Sequence, residues 1–264
     1  MKLFDWTKTW LEHYVKPTVK ARTLERYCAL AEHFLPYLGE REMDRLTVSD
    51  VQICIGEMLR VGNRRTGAGL SATTVNTVIT VLQGALKEAF SVGVIDSYIG
   101  DKIKRPRTQE TRISCFTQRE QKQIEEAVFV SGKPKLYGIV LCLYTGLRIG
   151  ELLALKKGEV DLSHHLIVVE NTAYDGHDAE GHYQRIETTA KTKSSKRVIP
   201  IPKQILPLVR ALCKTKGTDY LITDHGKPIS VRSYQRSFEL LLKKQKIPHR
   251  GFHTLRHTFA TRAL

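Results

Sequence analysis

Carboxylates are in short supply: 27 Asp and Glu stand against 42 Lys and Arg, a formal charge of +15 over 264 residues. A surplus of that size favours a polyanionic partner, because each neutralised phosphate releases counterions. Cysteine is sparse and scattered. Cys28, Cys54, Cys115, Cys142 and Cys213 are odd in number and form no Cys-x-x-Cys pair. That excludes a disulfide framework or a zinc knuckle and points to a reducing cytosol. No apolar stretch is long enough to span a bilayer; the longest, around residues 137–147, reads as a buried helix. The start, MKLFDWTKTW, lacks the continuous apolar core of a signal peptide. Internal repeats and low-complexity tracts are also missing. What remains is 41% apolar, enough to build cores for one large domain or two modest ones.

The charge is uneven. Residues 1–108 hold 16 basic and 12 acidic residues, and residues 109–264 hold 26 and 15. The second half therefore leans harder on an anion. The first hundred residues carry helical periodicity: Trp6, Trp10, Leu11 and Tyr14, then Leu24, Tyr27, Ala31, Phe34, Leu35 and Leu38. Thr47-x-x-Asp50 reads as a capping box ahead of Val51, Ile55 and Leu59. A glycine-rich loop, GNRRTGAG over residues 62–69, exposes Arg64 and Arg65 as candidate phosphate contacts. Ser71 then caps a helix with Val75, Val78, Ile79, Leu82, Leu86 and Phe90 on one face. These stripes predict the core of a small helical bundle. Between residues 98 and 111 the pattern breaks into a basic, proline-bearing linker in which Lys104 and Arg105 are further candidates for the phosphate backbone. The boundary is placed at 108/109.

The second half is mixed. Thr117-x-x-Glu120 is a capping box for a helix to about residue 128, and another covers residues 135–144. Three runs, 165–170, 185–189 and 197–201, are β-branched and predict one small antiparallel sheet with a turn at residues 193–195. Helices resume over 203–213, 231–244 and from residue 252. The expected fold class is mainly α with a small antiparallel sheet. The final helix stops at Leu264 without a C-cap glycine, which reads as a truncated domain.

Three segments concentrate cations. In TGLRIGE, residues 145–151, Arg148 and Glu151 lie three apart on one helical face, so the carboxylate can hold the guanidinium. In AKTKSSKRVIP, residues 190–200, Lys191, Lys193 and Lys196 cluster between two strand-like edges, a hairpin able to enter a DNA groove. In HTLRHTFAT, residues 253–261, His253 and Arg256 share a face with His257 one step along. His253-x-x-x-His257 has the spacing of a zinc helix, but Thr254 stands where a general-base glutamate belongs, and no metal is expected. The loop residues His164, His165, His177 and His182 read as surface groups. Together two arginines, a lysine and a histidine suffice to surround a phosphodiester. Guanidiniums stabilise charge in a pentavalent transition state, while lysine and histidine move protons.

These three boxes, in this order, resemble those of the tyrosine recombinases, the family of phage and conjugative-transposon integrases. The resemblance covers nearly the whole chain. It implies a helical core-binding domain over 1–108 and a catalytic domain over 109–264 that clamp duplex DNA between them, with tetramers forming on paired sites. It implies that Arg148 and Arg256 bind the scissile phosphate and that Glu151 supports the first arginine. Lys191, with Lys193 as the fallback, would be the general acid, and His253 would serve the nucleophile's proton. No cofactor, small-molecule substrate or membrane is expected. The family places a further His or Trp and then its tyrosine nucleophile after the last box. Tyr183, Tyr220 and Tyr234 all precede that box. The expectation is therefore a chain that binds DNA without forming a phosphotyrosine link, with bared apolar surface and altered self-association. Many integrases of the family carry a small arm-binding domain ahead of the bundle, and none is expected here. The competing readings are a DNA-binding regulator built on the same fold, a type IB topoisomerase and an unrelated basic metalloprotein.

Overall fold

The computed structural model describes residues 1–109, 114–178, 180–189 and 196–263. The chain divides into two compact units, Met1–Thr111 and Arg112–Leu264. No helix among the described residues is long and apolar enough to cross a membrane.

The first unit is all helix. Helix α1 (Leu3–Trp10) runs through a π-turn at Leu11–Val15 and is followed by α2 (Ala21–Leu38), α3 (Val48–Val61) and α4 (Ala72–Ser91). The starts follow the sequence signals. Thr47 and Asp50 form a reciprocal capping box, and Ser71 Oγ accepts from the Thr74 amide. The predicted stripes meet in one core around Trp6, Phe34, Val78, Ile79, Leu82 and Leu86. Trp6 satisfies its indole N–H by donating to the Ala85 carbonyl at 2.7 Å, and Trp10 stacks on Tyr27. Three stripe residues fall outside it: Tyr14, Leu59 and Phe90 are exposed. Residues 100–106 belong to this unit. Ile103 is buried in its core, Gln52 Nε2 donates to the Lys104 carbonyl at 3.2 Å, and Asn76 Nδ2 to the Pro106 carbonyl at 3.0 Å.

The second unit begins with α5 (Gln118–Ser131), opened by the Thr117–Glu120 capping box and closed by Gly132 in the left-handed region. Helices α6 (Tyr137–Thr145) and α7 (Ile149–Ala154) follow. The strands are β1 (Val160–Asp161), β2 (Leu166–Val169), β3 (Asn171–His177), β4 (Tyr183–Thr189) and β5 (Arg197–Pro200). Next come α8 (Leu206–Cys213), a two-residue pair β6 (Thr223–Asp224) and β7 (Lys227–Pro228), α9 (Val231–Lys244) and α10 (His253–Ala263).

The single predicted sheet is in fact two. Antiparallel β1-β2-β5 is one, and the hairpin β3-β4 is another. Strands β4 and β5, expected to flank a turn as partners, share no ladder among the described residues; β4 pairs with β3 over seven residues, and β5 returns to β2. Strand β3, NTAYDGH, holds few β-branched residues and so carries little strand signal in its sequence. What it offers is contact. Gly150 of α7 packs so closely on it that a Cβ there would lie 2.5 Å from the Ala173 carbonyl oxygen. Asp175 of β3 caps α9, accepting from the Val231 and Arg232 amides at 3.0 and 2.8 Å.

Candidate phosphate-binding site

Helix α6 is buried along most of its length and ends at Gly146, whose φ of +64° only glycine adopts without strain. Leu147 is buried, and Arg148, in extended geometry, is the N-cap of α7. Three residues on, Glu151 Oε2 accepts the Arg148 amide at 2.8 Å, the carboxylate half of a capping box. Its other oxygen accepts from Arg148 Nη1 at 2.8 Å, the ion pair expected from the spacing. A second guanidinium reaches the same carboxylate. Arg197 of β5 donates Nη1 to Oε1 at 2.9 Å and Nη2 to Oε2 at 2.7 Å. Glu151 is 7% exposed, yet it is ionised. Burial raises its pKa, but the hydrogen bonds from Arg197, then from the Arg148 amide and side chain, more than offset this and hold it at about 2.

Helix α10 packs against α6 and carries the third box. Its inward face is unusual: Leu255 is buried beside two threonines. Thr258 Oγ1 donates to the Thr254 carbonyl at 2.8 Å and accepts the Phe116 amide at 2.9 Å. This seating turns Arg256 toward Gly146, whose carbonyl accepts from Arg256 Nη1. The Arg256 pKa is lowered by burial and by Arg148 and Arg197, with Glu151 opposing. The His253 pKa is lowered by desolvation, then by His257, Arg256 and Arg148. The His253 and His257 rings meet edge to face, with centroids 4.6 Å apart. Arg148, Arg197, Arg256 and His253 thus form one electrostatically linked group with the Glu151 carboxylate among them.

Gly146 holds this geometry together. A Cβ there would sit 2.5 Å from the Phe259 ring. Gly146→Ala is expected to destabilise the second unit by about 2–3 kcal/mol, from the left-handed backbone and the clash together. Denaturant unfolding checks it; a loss near zero would mean that α10 shifts freely.

The remaining candidates are dispersed. Lys191 and Lys193 lie outside the described residues. Lys196 stands 3.6 Å from Glu170, half exposed. In the first unit Arg64 pairs with Glu32, and Arg65 and Lys104 are exposed. The Arg105 guanidinium is fastened to α4, donating to the Asn76 carbonyl at 2.9 Å and to Gln83 Oε1 at 2.6 Å. The phenols of Tyr220 and Tyr234 donate to Glu187 and to the Lys135 carbonyl, each at 2.7 Å, and Tyr183 lies at the exposed end of β4. Sequence reasoning missed Arg197. Its partner lies 46 residues earlier, and nothing local separates it from neighbouring cations.

Family profiles match both halves. The phage integrase family matches residues 107–264, and the N-terminal SAM-like domain of phage integrases matches residues 2–59. The chain belongs to the phage integrase family of tyrosine recombinases. It is 28% identical to a tyrosine recombinase XerC-like protein of Caldanaerobacter subterraneus, aligned over 98% of this chain and 71% of the relative. It is 27% identical to tyrosine recombinase XerA of Thermococcus kodakarensis, over 74% and 63%. With the transposase of Tn916 from Enterococcus faecalis the figures are 25%, 85% and 58%. The chain thus spans between 58% and 71% of these relatives' lengths. Among solved structures, the Tn1549 transposon integrase in complex with a circular intermediate DNA superposes with a TM-score of 0.80 at 22% identity, covering 99% of this chain and 86% of that one. A lambda integrase tetramer bound to a Holliday junction gives 0.73 at 18%, covering 99% and 72%. The fold is that of these integrases: a helical N-terminal domain followed by a mainly helical domain with small antiparallel sheets. Family and relatives support site-specific DNA recombination over the regulator alternative.

Proposed function

We propose that this recombinase-family protein binds duplex DNA and self-associates on it, and that the site around Gly146 receives the phosphodiester at which a strand is exchanged. The observation that carries this reading is the grouping of Arg148, held by an ionised Glu151, with Arg256, held by the Gly146 carbonyl, and with His253, which feels the charge of both arginines. Arg148 and Arg256 bind the non-bridging oxygens and stabilise the charge that grows there. Glu151 holds Arg148 in place. His253, its pKa held below that of an ordinary histidine, is neutral at pH 7 and able to take the nucleophile's proton. Lys191, with Lys193 as the alternative, protonates the leaving 5′-oxygen. The unit over residues 109–264 is the catalytic domain. The bundle over residues 1–108 is the core-binding domain, with Arg64, Arg65, Lys104 and Arg105, alongside Lys193 and Lys196, on the phosphate backbone. The protein works in the cytoplasm, where the DNA is.

Salt dependence tests the phosphate reading. Fluorescence anisotropy on a labelled duplex should show affinity falling steeply with salt, and Arg148→Ala or Arg256→Ala should each reduce the log–log slope by about 1. Slopes unchanged by both substitutions would remove these arginines from the phosphate contacts.

A further inference from the structure

Glu151 has more partners than a helix cap requires. Its two oxygens receive four hydrogen bonds, two from Arg148 and two from Arg197. Arg197 makes the fork-to-fork contact that only a guanidinium supplies, both terminal nitrogens on both oxygens. Arg148 gives the carboxylate one side-chain nitrogen and remains half exposed, at 51%, whereas Arg197 is 26% exposed. The two arginines therefore do different jobs on one anion. One grips from within, and the other reaches outward with donors to spare.

Charge gives the arrangement its consequence. Glu151 and Arg148 alone would cancel, leaving a neutral pair where an anion must bind. Arg197 returns the group to a net positive charge, so Arg148 keeps the field its outward donors need. The backbone of Arg197 is fixed by the β2-β5 ladder opposite Val169, so the fork arrives pre-oriented. The strand that carries it directly follows, in sequence, the segment bearing Lys191 and Lys193.

We propose that Arg197 is a positioning residue of the phosphate site, acting through Glu151 to orient Arg148 and keep the site cationic. The inference rests on the reading of Arg148 as a phosphate ligand. The ionisable groups facing Glu151 are Arg148 at the start of its own helix, Arg197 from β5, Arg256 from α10 and the buried Cys142 thiol from α6.

Two readouts on the full chain test it. Carboxyl carbon NMR follows the titration of Glu151, and the Arg148 side-chain N–H signal follows binding of inorganic sulfate at pH 7. In Arg197→Met the Glu151 midpoint should rise clearly from about 2, since only the Arg148 hydrogen bonds then oppose burial. Sulfate affinity should fall about tenfold, the scale of one charge-assisted hydrogen bond. Arg197→Lys keeps the charge without the fork, so it should hold the midpoint low and restore only part of the affinity. An unmoved midpoint, or full sulfate affinity in a folded Arg197→Met, overturns the proposal. Should Arg197→Met fail to fold, Arg197→Lys decides: sulfate affinity equal to that of the parent chain overturns it. Arg148→Ala is read separately by the affinity for sulfate, detected calorimetrically. Survival of binding there would defeat the phosphate reading, while the titration still judges the link from Arg197 to Glu151.

Discussion

Arg148→Ala and Arg256→Ala should each slow strand cleavage by roughly 100- to 1,000-fold, the range seen when one preorganised donor is taken from a developing oxyanion. The measurement is single-turnover formation of the covalent protein–DNA adduct on a nicked duplex, in a chain that carries the family's tyrosine nucleophile. Both guanidiniums are oriented before substrate arrives. Arg148 is held by Glu151, and Arg256 by the Gly146 carbonyl. They therefore need no reorganisation as charge builds in the transition state. In binding, by contrast, each supplies one phosphate contact among many, so duplex affinity at moderate salt should fall much less than the cleavage rate. Equal losses in rate and affinity would mean that the arginines only hold DNA.

Glu151→Gln should destabilise the second unit by about 3 kcal/mol at pH 7, because two guanidiniums lose the anion that they share and the depressed pKa of the carboxylate no longer contributes. The pH dependence has a definite sign. A carboxylate with a lowered folded pKa stabilises above its unfolded value and loses that contribution as pH falls. The gap between the parent chain and Glu151→Gln should therefore be full above about pH 5 and close progressively towards pH 2, as Glu151 protonates. Urea unfolding across that window reads it. A gap that stays constant down to pH 2 would show that shape, and not charge, fixes the cost.

Helices α3, α4 and α5 were legible in the sequence because their starts carry explicit chemistry. Thr47 and Thr117 are caps with reciprocal carboxylates at Asp50 and Glu120, and Ser71 is a simple cap, each ahead of an apolar stripe. The Arg148–Glu151 pair was legible for the same reason: helical spacing is local information. What remained hidden depends on contacts between distant segments. Strand β3 is defined by the hairpin it forms and the glycine that packs on it, and its composition gives little sign of a strand. The inward face of α10 uses Thr254 and Thr258, so the apolar stripe that marks a buried helix is thin there, and its partner is the Phe116 backbone. Arg197 looked like one more lysine-segment cation. Only the return of β5 to β2 brings it to a carboxylate on another helix.

On the proposed function, Arg148 and Arg256 act by neutralising charge on the phosphate that is cut. Replacing that phosphate in the nicked duplex by a neutral methylphosphonate removes the charge from the substrate side. If the claim holds, cleavage of the methylphosphonate by Arg148→Ala and Arg256→Ala should approach that of the parent chain, the penalty shrinking by at least about tenfold. A penalty as large on the neutral linkage as on the phosphodiester would contradict it.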